Sequence, residues 1–301
     1  MITVMTPTYN RAYILEKAYI SLKNQTSYEF EWIIVDDGSL DNTTQLVETW
    51  VKECNDFKIT YVKQPNGGKH RAINRAVKMA EYDWFLILDS DDSLANYAVE
   101  LIHSWIRDVS KLDGFAGVAG LRGSNDVAIG GNISKKYIDA TNLERKKYNL
   151  LGDKAEIYKT EILRLYPFPE FDGENFIRES AVWDHIAKDG YKLRWYNEII
   201  YYCEYIADGL TKNTNTDTYV KNFNGFTYCT KLFLQTHRGY RALLKLGEFY
   251  KVAKKKDMSI TESVQILDVS FVRFICGVFA FNLKQFIKTI YLKSCTVFRR
   301  S

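Results

Sequence analysis

The sequence predicts an α/β fold: a doubly wound, mostly parallel central sheet with helices on both faces, followed by a helical C-terminal extension. Three observations lead there. Strand-like and helix-like stretches alternate over the first 121 residues. Two of the strand-like stretches, Trp32-Ile33-Ile34-Val35 and Trp84-Phe85-Leu86-Ile87-Leu88, are apolar without alternation, as strands covered on both faces must be. Polar clusters then follow three strands directly: Thr6 to Asn10, Asp36 to Ser39, and Asp89 to Asp92. Open α/β sheets gather their ligands at such carboxyl strand ends.

The elements follow in order. Ile2 to Thr6 is a short apolar strand. Asn10 is placed to cap a helix whose Ile14, Leu15, Ala18 and Leu22 share one face. After the second strand, Asp41 is placed to cap a helix with Leu46, Val47, Trp50 and Val51 inward. Ile59 to Val62 is a third strand, and Gln64-Pro65-Asn66-Gly67-Gly68 a loop. Lys69 to Ala80 is helical, with Ala72, Ile73, Ala76, Val77 and Ala80 in one stripe. The strand from Trp84 comes next, then a helix with Ala98, Leu101, Ile102, Trp105, Ile106 and Val109 inward. Phe115 to Leu121 closes the alternation.

From Arg122 to Ala155 the periodicity weakens. Gly123, Gly130 and Gly131 interrupt it, and Lys and Arg crowd the stretch from Lys135 to Lys147. A variable, partly mobile region lining an acceptor pocket is expected. A helix start is expected across Ile177 to Trp183, with Glu179 near its first turn. Lys192 to Glu204 reads as an aromatic strand and Asp208-Gly209-Leu210-Thr211 as a turn. Thr211 to Thr218 reads as a linker, which divides a domain over 1–212 from a basic, mainly helical extension over 213–301.

Charge divides the chain in the same way. The net charge of +4 combines +11 from Tyr219 to Ser301 with −7 over the remaining residues. A basic tail on an acidic body suits contact with an anionic membrane surface through 240–301; helices packed on the domain are the other reading. Nucleic acid is not an expected partner. Cys54, Cys203, Cys229, Cys276 and Cys295 are scattered and odd in number, so reduced, mostly buried thiols in a cytoplasmic protein are expected. The N-terminus shows no signal-peptide pattern. No apolar run reaches the roughly 18 residues of a spanning helix. The expected location is cytoplasmic, or peripheral on the inner face of the cell membrane. His70, His103, His185 and His237 have no metal-ligand spacing, although His185 is close enough to Glu179 in sequence to line an acceptor site.

Asp89-Ser90-Asp91-Asp92 is the sharpest local signal. Three carboxylates cannot follow an apolar strand into the core, because an unpaired buried charge is too costly. They emerge either as a site for a hard cation, Mg²⁺ or Mn²⁺ shared with phosphates, or as a solvated turn before the next element. Asp92 is read as the start of that element.

Pro7-Thr8-Tyr9-Asn10-Arg11, Val35-Asp36-Asp37-Gly38-Ser39, Asn66-Gly67-Gly68-Lys69 and Asp89-Ser90-Asp91 stand in the order and spacing of family-2 glycosyltransferases. The chain resembles these inverting enzymes of the GT-A fold over roughly its first two-thirds. The tract from Phe168 through Glu179 to Thr211 is similar to bacterial capsule and polysaccharide members. The resemblance implies a nucleotide-sugar donor, UDP-linked by expectation, and a glycan or lipid-linked acceptor. It implies that Pro7, Thr8, Tyr9, Arg11, Asp36, Asp37, Asn66, Lys69, Asp89 and Ser90 form the nucleotide site. Tyr9 would stack on the base, and Asp36 or Asp37 would accept its N–H. Lys69 would meet the diphosphate. Asp91 would hold the metal, with Asp89 as outer-shell or second ligand. Glu179 would be the catalytic base, with Asp172, Glu174 and Asp184 as rivals, because Ser180 stands where the family usually has Asp. A nucleotidyltransferase or a dinucleotide-dependent dehydrogenase would need a glycine-rich loop after the first strand, and Thr6 to Arg11 has no glycine. A catalytically silent nucleotide-sugar-binding scaffold is the alternative from another class.

Overall fold

The computed structural model describes residues 1–203 and 215–297, with side chains up to 289. The expected turn at Asp208 to Thr211 and the cations Arg299 and Arg300 lie outside them. The chain divides into two compact units, Met1–Lys212 and Asn213–Ser301.

The first unit is built on one sheet. Its strands are β1 (Ile2–Thr8), β2 (Phe30–Asp36), β3 (Lys58–Lys63), β4 (Trp84–Ile87), β5 (Ser93–Leu94), β6 (Phe115–Ser124), β7 (Val127–Ala128), β8 (Tyr137–Ala140), β9 (Lys154–Lys159) and β10 (Lys192–Tyr202). The spatial order is β3-β2-β1-β4-β9-β6-β10-β5, with β7 beside β6 and β8 beside β10. β1, β2, β3 and β4 are mutually parallel, β9 runs against both β4 and β6, and β6 is parallel to β10. Six strands therefore point one way and place their carboxyl ends on one rim.

Helices α1 (Glu16–Lys23), α2 (Thr43–Glu53), α3 (Lys69–Met79) and α4 (Ala98–Val109) connect the strands, and α5 (Thr160–Leu165) and α6 (Ser180–Lys188) follow β9. The apolar runs are buried as their patterning requires: every residue of β1, β2 and β4 is below the surface. Aromatic stacking joins α1 to α2, Tyr19 on Trp50 at 4.4 Å, and α4 to the sheet, Trp105 on Tyr196 of β10 at 4.4 Å. The buried Glu31 is matched by Thr3 Oγ1, which donates at 2.7 Å, and by the Glu81 N–H at 2.8 Å.

Several local expectations are corrected. Asn10 does not cap α1. It sits at φ 52°, donates its N–H to Ser39 Oγ and accepts from the Leu40 N–H, so it closes the rim loop instead. Asp41 does accept the Thr43 N–H as α2 begins, but Val51 faces outward at 42% exposure. Cys54, Cys203 and Cys229 are half-buried and Cys276 is exposed, against the expectation of buried thiols.

The stretch after Arg122 is not a loose insert. β8 pairs with β10, and a 3-10 helix spans Asn142–Tyr148. The Lys154 side chain explains why this region holds together. At 1% exposure its ammonium donates to the carbonyls of Ile129 (2.9 Å), Gly131 (3.4 Å) and Leu151 (2.5 Å). Burial, then the nearby Arg145, pushes its pKa down to about 8.

The second unit is helical: α7 (Thr216–Lys221), α8 (Phe223–Thr236), α9 (Gly239–Lys254), α10 (Ile260–Leu267) and α11 (Phe271–Val297). The expected linker ends early, because Asn215 Oδ1 caps α7 by accepting the N–H groups of Asp217 and Thr218. α9 and α11 meet at two glycines. A Cβ on Gly247 would fall 2.1 Å from Phe281 Cβ, and one on Gly277 2.6 Å from Leu246 Cβ.

Candidate active site

The strand ends deliver the site. β4 is too short to carry Asp89, so the chain turns as it leaves the sheet: Leu88 is still buried, and the Asp92 N–H bonds back to the Asp89 carbonyl at 3.2 Å. The Asp89 N–H itself donates to Tyr201 Oη on β10 at 2.9 Å.

Lys69, the first residue of α3, bridges two carboxylates. Its ammonium is 2.6 Å from Asp89 Oδ1 and 2.8 Å from Glu179 Oε1. Burial alone would favour the neutral amine, but the charges of Asp89 and Glu179 outweigh it and hold the lysine pKa above its ordinary value. Lys69 is aimed there by the loop before it. Asp37 accepts the N–H groups of Gly67 (3.0 Å) and Gly68 (2.7 Å), and amide N–H bonds from Gln64 (2.8 Å) and Asn66 (3.2 Å). Gly68 has φ 96°, and a Cβ there would fall 1.9 Å from the Asn175 carbonyl oxygen. No other residue lets α3 begin that close to the segment leading into Glu179.

Arg122, at the far end of β6, holds the other side. Its guanidinium lies 4.2 Å over the Tyr201 ring, 3.7 Å from Asp89 Oδ2 and 3.8 Å from Asp92 Oδ2. Asp89, opposed by burial but flanked by Lys69 and Arg122, is held below the usual carboxylate range. Asp91 and Asp92 have less compensation. Burial first, then the Asp89 charge, raises both, and Asp92 reaches about 6. Arg11 partly offsets the rise at Asp91.

Glu156 on β9 completes the acidic floor. Its nearest cation is Arg145 at 3.9 Å. Burial lifts its pKa to about 7, with Arg145 and Arg122 opposing and Glu179 adding to the rise.

The expected residues divide into groups. Lys69, Asp89 and Glu179 come together in one ion-pair cluster, and the Arg11 charge acts on the adjacent Asp91. Pro7, Thr8 and Ser90 are buried at the same rim, and Tyr9 is 46% exposed. Thr8 Oγ1 is buried with no hydrogen-bond partner among the described residues. Asp36, Asp37 and Asn66 form the loop scaffold. Asp36 has no exposed surface and accepts from Ser39 N–H and Tyr61 Oη, both at 2.7 Å. Asp37 accepts four bonds and Asn66 donates to the Asp37 carbonyl at 2.9 Å.

Among the rivals to Glu179, Asp184 accepts from Asn142 Nδ2 at 2.7 Å, Glu174 is buried and Asp172 is exposed. His185 packs edge-on against Tyr166 at 5.2 Å. His70 is buried in α3, and burial followed by the Arg71 charge lowers its pKa to about 4.

Sequence reasoning missed Arg122, Glu156 and Tyr201; Asp92 directly precedes β5, as expected, and also lies 3.8 Å from Arg122. Arg122 carried the same signal as Asp89, a charge at the end of an apolar strand. Glu156 was visible only as one face of the alternating Lys154 to Lys159.

Known proteins share the sequence pattern and the fold of the first unit. Residues 3–150 match the model of glycosyl transferase family 2. An uncharacterized glycosyltransferase of Mycoplasma genitalium is 34% identical over 108 residues, 35% of this chain and 36% of that protein. A GalNAc(5)-diNAcBac-PP-undecaprenol β-1,3-glucosyltransferase of Campylobacter jejuni is 25% identical over 62% of this chain and 60% of its own length. The chain thus spans between about a third and three-fifths of these relatives. Among solved structures, Staphylococcus aureus TarS 1–349 with UDP-GlcNAc superposes with a TM-score of 0.63, at 20% identity over 93% of this chain and 79% of that one. A Pyrobaculum calidifontis mannosyltransferase with GDP-Man and Mn²⁺ gives 0.56, at 17% identity over 93% and 86%. Over residues 3–150 the α/β unit of this chain thus matches glycosyl transferase family 2, and the solved structures share its fold.

Proposed function

We propose that the protein is a metal-dependent inverting glycosyltransferase. It moves a sugar from a UDP-sugar to a hydroxyl of a glycan or lipid-linked acceptor in bacterial surface polysaccharide synthesis. The observation that carries this reading is the Lys69 ammonium seated between Asp89 and Glu179. It brings the donor-side and acceptor-side carboxylates to one point at the rim, inside a family-2 fold.

Among the described residues no group of three or more Asp, Glu, His or Cys converges on one point. Asp91 is nonetheless a carboxylate whose pKa is raised by burial first and then by the neighbouring Asp89 charge. That suits Mg²⁺ or Mn²⁺, which takes one or two protein carboxylates and completes its shell with phosphate and water oxygens. Asp91 holds it in this reading, with Asp89 beside it. When bound, such an ion supplies positive charge to the departing diphosphate.

The chain's own residues do the rest. Tyr9 offers its exposed ring to the base, while Asp36 and Asp37 hold the loop on which the base rests. Thr8 Oγ1 donates to the nucleotide. Lys69 meets the diphosphate and gives up part of its contact with Glu179. Glu179 then takes the proton of the acceptor hydroxyl as that oxygen bonds to the anomeric carbon and the bond to the diphosphate breaks. No covalent intermediate forms, so the configuration inverts. An acceptor carried on a lipid is met at the membrane, so contact of 240–301 with anionic lipid on the cytoplasmic face belongs to the same reading.

A panel of nucleotide sugars with Mg²⁺ or Mn²⁺, scored by release of free nucleoside diphosphate, tests the proposal. Release from a UDP-sugar is the expected result. Binding without release from any donor would instead favour a silent scaffold, for which Ser180 at the usual Asp position is the one supporting observation.

A further inference from the structure

Helix α11 presents a surface that the chemistry above leaves unused. One side of it is packed: Phe274 is fully buried, and Gly277 lies against Leu246 of α9. The other side is open. Phe271 (54% exposed), Ile275 (37%), Phe279 (69%), Leu283 (47%), Phe286 (64%) and Ile287 (57%) recur at intervals of mostly four residues. Such spacing puts them in one stripe along the helix, about 24 Å long at the α-helical rise. Single exposed apolar residues need no explanation, but a continuous stripe of Phe, Ile and Leu does.

Charge identifies what covers it. From Phe271 to Val297 there is no Asp or Glu, and the only charged residues are Arg273, Lys284, Lys288 and Lys293. At roughly 100° per residue, Arg273, Lys284 and Lys288 fall together on the side away from the stripe's centre. An apolar face backed by cations alone is the pattern of a helix lying in a bilayer interface, attracted by anionic headgroups. Among the described residues no single helix is long and apolar enough to cross a membrane.

We propose that α11 lies in the plane of an anionic bilayer surface. Its Phe271-to-Ile287 stripe sinks among the acyl chains, and its cations stay within the screening length of the headgroup phosphates. This sharpens the membrane part of the proposed function and rests on that part alone, not on the transfer chemistry. It narrows the contact from 240–301 to one helix face and makes the contact peripheral.

The test is co-sedimentation of the full chain with phosphatidylcholine vesicles and with vesicles containing phosphatidylglycerol. Wild type should favour the anionic vesicles and be released by alkaline carbonate. F279S/F286S should bind them at least about tenfold more weakly. Both positions are already solvent-facing, and circular dichroism and UDP-sugar binding should match wild type, which separates this test from that of the donor site. A K284E/K288E variant should lose the preference for anionic lipid. No vesicle binding, or unchanged binding by F279S/F286S, overturns the proposal. So does retention after carbonate, which would mean a span, for example through the bent pair Ile260–Leu267 and Phe271–Thr289. Self-association that F279S/F286S abolishes, without vesicle binding, would also overturn it and assign the stripe to a second copy.

Discussion

Glu156 is the residue whose replacement should stabilise the protein. It lies on the floor of the site, 11% exposed at its side chain, with its nearest cation 3.9 Å away. Burial lifts its pKa from the ordinary 4.5 to about 7. An acid with a raised native pKa binds its proton more tightly folded than unfolded. Its favourable contribution is therefore complete below pH 4.5 and is lost as the pH rises through 7. That difference corresponds to about 3 kcal/mol at pH 8. Glu156→Gln keeps the shape and removes the charge, so it should add up to about 3 kcal/mol at pH 8 and almost nothing at pH 4.5. For a unit of this size the gain is roughly 6–12 °C in Tm. The assay is urea or thermal unfolding of both proteins across pH 4.5–8. An equal offset at every pH, or a less stable variant at pH 8, would refute the reasoning, because either result means that Arg145 and Arg122 fully compensate the carboxylate. A stabilising substitution on the floor of the site would also show where this fold gives up stability for chemistry.

Two substitutions test how the site is assembled. Glu179→Gln should lower kcat by about 10²–10⁴-fold, the usual range for a lost general base, without a matching loss of donor affinity. The same change at Asp172, Glu174 or Asp184 should cost far less, and a comparable loss at one of them would move the base there. Gly68→Ala should cost about 2–5 kcal/mol in urea unfolding, from a positive φ combined with overlap on the Asn175 carbonyl. It should also raise the donor KM, because α3 and Lys69 would have to shift.

How much of this was legible in the sequence follows from local chemistry. Asp89 was visible because an acid directly after five apolar residues has one place to go, the rim of the sheet. Lys69 was visible because two glycines precede a clear helical stripe. Arg122 ended an apolar strand in the same way, yet it stood at the head of a stretch whose glycines and lysines masked order. The order there comes from Lys154, whose ammonium ties the distant carbonyls of Ile129 and Gly131 to that of nearby Leu151, and no local pattern reports such contacts. Asp36 and Asp37 were read for their ligand chemistry, while their side chains are engaged by Ser39, Tyr61, Gln64, Asn66, Gly67 and Gly68. Asn10 looked like a helix cap because Asn favours caps, but Asn also tolerates positive φ, and the rim loop used that property.

The central claim is that Asp91 helps bind a nucleotide sugar through a divalent cation at the end of β4. Calorimetric titration of UDP-sugars into wild type and Asp91→Ala, with Mn²⁺ and with chelator, tests it most directly. The account predicts binding that requires the cation and disappears in Asp91→Ala. Failure to bind any nucleotide sugar, or cation-dependent binding that is unchanged in Asp91→Ala, would contradict it.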